Sequence, residues 1–180
     1  MSNQFWSSSN MEPKRSYRFI LYIGGFPHWI VKSSGRPGMK IGVKAHSYLN
    51  HEFKFPGKIT WEDIKVKIVE PIDSNAISEL KSVLSDSGYS WMDPRANVGP
   101  NDLNTISKKR AVAALASSGG KKGTTLVQID SEGNTIDEWT LWNCWISAFA
   151  PSELAYESED LSETELTLTF DYAKVETPQD

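Results

Sequence analysis

A mainly β fold, with antiparallel strands in a sandwich or barrel-like pair of sheets and one α-helix, is what this sequence predicts. Three observations lead there. Short runs rich in aromatic and β-branched residues recur between glycine- and proline-bearing turns. Several of those runs alternate apolar and polar residues with period two, which buries one face and wets the other. Helical spacing is convincing in only one stretch, at about residues 74–85.

The elements follow in order. Residues 1–16 are polar and aperiodic and read as an N-terminal arm, in which Phe5 and Trp6 are unusual and suited to anchoring on a neighbour. The expected single β domain spans 17–176, with 177–180 as a short tail. Its first strand is Tyr17–Ile23, stopped by Gly24 and Gly25, and HWIVK offers a second. A third covers Met39–Lys44, with Met39, Ile41 and Val43 on the core side and Lys40 and Lys44 opposite. Ile64–Val69 is a fourth, pointing Ile64, Val66 and Ile68 inward and Lys65 and Lys67 outward.

Between those last two strands, residues 45–63 keep no period and are broken at Pro56–Gly57. They read as a long inter-strand loop bearing Tyr48, Phe53, Phe55 and Trp61, which is uncommon in a small β domain unless the loop has a role. The helix has Asp73 or Ser74 as candidate caps, Ile77, Leu80 and Leu84 at helical spacing, and Gly88 just past its end. Residues 89–104 read as loop. KKRAVAALASSGG reads equally as a short helix ended by Gly119 or as a strand masked by alanines. The last third returns to β: TTLVQI, the turn DSEGN, and TIDEWTLWNCWI form a hairpin whose second strand is apolar on both faces and expected to be central. Glu163–Tyr172 closes the domain, with Leu166, Leu168, Phe170 and Tyr172 on one face and Glu163, Glu165, Thr167, Thr169 and Asp171 on the other.

The composition narrows the function classes. With 180 residues, 39% hydrophobic content and seven Trp, the chain supplies one ample core. No apolar run has the length of a membrane-spanning helix, and the N-terminal residues lack the apolar stretch of a signal peptide, so no membrane insertion is expected. Cys144 is the single cysteine and reads as a small buried apolar residue rather than a nucleophile. His46 and His51 make a poor metal site without a cysteine nearby, and the acids at Glu157, Glu159 and Asp160 lack the spacing of a calcium loop. No phosphate-binding glycine loop, GxSxG or HExxH occurs. The expectation is no enzyme, no cofactor and no metal. Trp139, Trp142 and Trp145 read as core, which argues against a stacking platform for sugars.

The net charge of −4 conceals a division. Residues 1–122 carry 18 Lys/Arg against 10 Asp/Glu, a balance of +8; residues 123–180 carry one Lys against 13 acids, a balance of −12. Either each part has its own solvated face, or a basic surface of one copy meets an acidic surface of the next.

Three segments carry a resemblance. EPKRSYRFILYIGG resembles the opening of tail tube proteins of contractile-tailed (T4-like) phages, FPGKITWEDIKVKIVEPID resembles that family's segment from loop to helix, and WTLWNCWISAFAPSEL with SETELTLTFDYAKVE resembles its closing strands. The family is related to the tubes of contractile injection and type VI secretion systems. The resemblance covers about residues 12–77 and 135–176, while 86–134 departs from the pattern. It implies hexameric rings that stack into a hollow tube inside a contractile sheath, in the virion tail, assembled in the host cytoplasm. Implied partners are further copies of the chain, the sheath, baseplate and tail terminator proteins, and double-stranded DNA passing through the lumen.

It also implies that residues 45–63 touch the neighbouring ring, with Tyr48, Phe53, Phe55 and Lys58 at that interface. A loop folded back as a lid on its own subunit is the other reading. Glu163, Glu165 and Asp171 either line the lumen as a negative wall or face outward. Related readings are a baseplate tube initiator and the tube of an injection or secretion machine. A monomeric β-sandwich binding module is the reading from another class.

Overall fold

The computed structural model describes residues 13–24, 26–72, 76–89, 105–118, 121–157 and 159–177. Phe5 and Trp6, the candidate caps Asp73 and Ser74, residues 90–104 and Gly119 lie outside these. The fold is mainly antiparallel β, as the sequence predicts, with two α-helices rather than one among the described residues.

The strands are β1 (Phe19–Tyr22), β2 (Val31–Ser34), β3 (Met39–Tyr48), β4 (His51–Trp61), β5 (Ile64–Val69), β6 (Ser117–Ser118), β7 (Lys121–Lys122), β8 (Thr124–Ile129), β9 (Thr135–Trp142), β10 (Trp145–Pro151), β11 (Glu163–Thr169) and β12 (Tyr172–Glu176). One four-stranded sheet has the order β1-β8-β9-β12 and a second β10-β11-β5-β2; β3 with β4, and β6 with β7, form separate pairs. The core holds residues of both four-stranded sheets, including Leu21, Leu126 and Leu141 from the first and Val66, Ile68 and Leu166 from the second. β5 keeps the expected alternation, with Ile64, Val66 and Ile68 at 3%, 0% and 1% exposure and both lysines outside.

Two expected single strands are each divided between the sheets. TIDEWTLWNCWI breaks after Trp142, where Asn143 takes a left-handed φ of 55°. β9 is central in the first sheet, but β10 is an edge of the second. The final run breaks likewise at Phe170–Asp171, so β11 and β12 belong to different sheets. These corners close a barrel-like sandwich, because a strand that switches sheets turns a corner. Trp142, expected inside, is about half exposed and stacks on Tyr172 at 5.8 Å.

The first helix, α1 (Ala76–Ser87), buries Ala76, Leu80 and Val83, whereas Ile77 sits at its exposed rim. Its end is a Schellman cap: Tyr89 N–H donates to Leu84 O, Gly88 N–H to Ser85 O (both 3.0 Å), and Gly88 takes φ 106°. KKRAVAALASSGG resolves into a helix, α2 (Lys108–Ala114), ending at the buried Leu115. That end presses on Gly24, where a Cβ would lie 2.8 Å from the Leu115 Cα.

The largest departure is at residues 45–63. They are not a loop: nearly all belong to β3 and β4, a hairpin joined by the two-residue turn Leu49–Asn50. Proline inside a strand is tolerated at a bulge, and Pro56 stands beside one. Ile41 pairs with Ile59 and Val43 with Pro56, so β4 carries one extra residue at Gly57–Lys58 opposite Gly42. The two glycines permit the close approach, since a Cβ on Gly57 would sit 2.9 Å from Gly42 O.

Candidate functional site

Each strand of the hairpin spans ten residues or more, about 30 Å at the usual rise per residue. Trp61 ties its root to the core, with its ring 6.0 Å from that of Phe170. Beyond the root the hairpin is bare. Met39, Ile41, Val43, Tyr48, Leu49, Phe53, Phe55 and Ile59 are all exposed, from 46% to 87%. The lid reading is therefore corrected: among the described residues, these side chains cover nothing on their own subunit.

The bulge decides which way they point. Directly opposed residues of an antiparallel pair share a face. Near the root, Met39, Ile41 and Val43 share a face with Ile59 and Trp61. The extra residue shifts the phase of β4, so toward the tip Phe55, Phe53 and His51 stand with Lys44, His46 and Tyr48 on the opposite face. One hairpin thus carries an aliphatic patch on one side of its root and an aromatic patch on the other side of its tip. Among the sequence-predicted contact residues, Tyr48, Phe53 and Phe55 come together in the aromatic patch, and Lys58 belongs to the bulge. Met39, Ile41, Val43 and Ile59 were assigned to the core by alternation or not singled out at all. Alternation reports that a face is apolar, not what covers it.

The three acidic residues expected to act as one wall are separated. Glu163 and Glu165 lie on the outer side of the second sheet among lysines: Glu163 pairs with Lys32 and, at 4.0 Å, with Lys67, while Glu165 accepts from Lys65 Nζ at 2.8 Å. The Lys65 ammonium holds the Glu165 carboxyl below the usual carboxylate range. Asp171 is at a corner instead. Its carboxylate accepts from Lys108 Nζ at 2.7 and 2.8 Å and from Asn143 Nδ2 at 2.7 Å, and its N–H donates to Trp142 O at 3.0 Å. Lys108 and then Asn143 hold that carboxyl low. It clips the two sheet-switching corners to each other and to α2.

Cys144 sits at the same corner, 4% exposed, and burial pushes its thiol up to about 11. A thiol so protonated is a poor nucleophile. His46 and His51 share the tip face of the hairpin, and among the described residues no group of three potential metal ligands gathers. Among the described residues no helix is long and apolar enough to cross a membrane.

No protein-family model matches this sequence, and no curated protein matches it. Solved structures match over nearly the whole chain. A chain of the anti-feeding prophage cap, a tube-terminating cap, is 16% identical, with 98% of this chain and 99% of that one covered and a TM-score of 0.64. A chain of the sheath–tube complex of an extracellular contractile injection system (PVC, extended state) gives 15%, 98%, 99% and 0.63. A chain of the six-fold symmetrised anti-feeding prophage baseplate gives 10%, 92%, 97% and 0.64. The structural neighbours are thus chains of the cap, sheath–tube and baseplate assemblies of contractile injection systems and related particles, and this chain shares their fold.

Proposed function

We propose that this chain is a structural tube subunit, which assembles into hexameric rings that stack as the hollow inner tube of a contractile tail. It carries no catalytic role; its partners are other copies of itself, a surrounding sheath, and baseplate and terminator proteins. The observation that carries this reading is the projecting hairpin with apolar side chains on both faces and no cover from the described residues of its own subunit. An isolated two-stranded hairpin is marginal in water, and exposed apolar patches of this kind mark association surfaces. Burying Tyr48, Phe53 and Phe55 against a second ring contributes about 1.5–3 kcal/mol each before ordering costs.

DNA delivery through the lumen is one version of this reading. A tube or cap of an injection machine is the second, favoured by the origin of the matching folds. The paired lysines around Glu163 and Glu165 also lend the second sheet no net acidic field to repel phosphate.

Replacing His46–Lys58 with a short Gly-Ser linker tests the proposal. β3 and β4 would still pair through Met39–Trp61 and Ile41–Ile59 at the root. The expected product keeps its β-type circular dichroism and forms no stacked rings in electron micrographs. Normal tubes from the shortened chain would overturn the assignment of the hairpin; a wild-type protein that stays near 20 kDa under native conditions would overturn the tube itself.

A further inference from the structure

We infer that the tip of the hairpin docks, in a second copy of this chain, into the open groove formed by the β10–β11 connection. The inference rests on the tube reading above and names the surface that receives the hairpin.

The groove has a volume of about 1120 Å³ and is walled by residues 152–156 and 159–163 over Lys32 and Lys67. Its rim is apolar and bare, with Leu154, Leu161 and Tyr156 at 84%, 66% and 111% exposure. Small-molecule sites are typically smaller and more enclosed, and this one is open enough for a chain segment.

Charge selects the occupant. Six intramolecular ion pairs, Lys14–Asp137, Arg36–Asp137, Lys32–Glu163, Lys67–Glu163, Lys65–Glu165 and Lys108–Asp171, each join the basic part of the chain to the acidic part, whereas the local pair Lys174–Glu176 lies within the acidic part. Two surfaces outside these pairs carry net charge of opposite sign. On the hairpin, Lys40, Lys44, Lys54 and Lys58 have no ion pair among the described residues and stand with one acid, Glu52, for a net +3 over 39–61. In the connection, Glu153, Glu157 and Glu159 are likewise unpaired among the described residues; the five acids of 152–163 against Lys32 and Lys67 give −3. Both surfaces are also apolar. A basic aromatic projection and an acidic apolar groove on one chain are complementary between copies, and such a head-to-tail contact propagates instead of closing as a dimer.

Charge reversal tests this. One variant carries Lys54→Glu and Lys44→Glu; the other carries Glu157→Lys and Glu159→Lys. All four positions are exposed, so circular dichroism should match the wild type. Each variant alone should lose assembly by at least about tenfold in sedimentable protein. Mixed in equal amounts they should co-assemble, because each supplies the partner that the other lacks. Two results overturn the inference while leaving the tube intact: groove-reversed protein that assembles alone like the wild type, or a mixture as inert as its components. Wild-type protein that never assembles overturns the tube reading instead.

Discussion

Asp171 shows how one side chain can differ in role from its place in a pattern. Alternation sets it with Glu163 and Glu165, but the strand ends at Thr169 and the carboxylate turns to Lys108 and Asn143. Its pKa is depressed in the folded chain, chiefly by Lys108. A depressed carboxylate contributes stability that is present above its unfolded value, near 3.8, and lost as pH falls through the folded value. Asp171→Asn should therefore melt below the wild type at about pH 7, and the gap should close at a pH below the folded value, where the wild-type side chain is neutral as well. An equal gap at both pH values would mean that the carboxylate contributes shape alone. Leu49 is the opposite case, an exposed residue held at φ 53° where non-glycine residues are disfavoured. That choice hides the hairpin from the sequence, because a two-residue turn is normally announced by Asn-Gly or Asp-Gly.

At the scale of elements, the bulge at Gly57–Lys58 sets the direction of every side chain toward the tip. Inserting one residue after Gly42 gives the extra residue of β4 a partner, removes the bulge, and turns Phe53 and Phe55 onto the face of Ile41 and Ile59. The expected protein has an intact core and does not stack, whereas Lys58→Ala, which keeps the bulge, should assemble. Stacking by the insertion variant, seen in electron micrographs, would show that the facing of the aromatics is irrelevant. β5, the helix α1 with its Gly88 cap, and the β8–β9 hairpin were legible because local chemistry decides them. Asp130 accepts from the N–H groups of Glu132 and Asn134 at 2.8 Å, which fixes that turn within five residues. The sheet switches after Trp142 and Thr169 were not legible, since an apolar run does not say where a corner falls. Pro56–Gly57 read as a breaker because a bulge and a loop use the same residues. The aromatic contact set was visible for the same reason it was misplaced: rings in a polar, aperiodic stretch attract notice whether the backbone is loop or strand.

For the whole molecule, the division of charge is the feature with the widest reach. Lysines of the first 122 residues neutralise acids of the last 58 within the subunit, and the hairpin and the β10–β11 connection each keep a net charge. Those two surfaces carry opposite charge and apolar side chains together, and salt separates the two contributions. Exposed charges are screened over about 10 Å at 0.1 M salt and about 3 Å at 1 M, whereas burial of Phe53 or Leu154 is not weakened by screening. Encounter should depend on charge and persistence on apolar contact. The initial rate of assembly, followed by light scattering, should fall about tenfold or more between about 0.05 M and 1 M sodium chloride. Filaments formed at low salt should survive transfer to high salt. Dissolution on transfer would make charge the main adhesive, and a rate indifferent to salt would remove the complementary surfaces from the account of how the subunits meet.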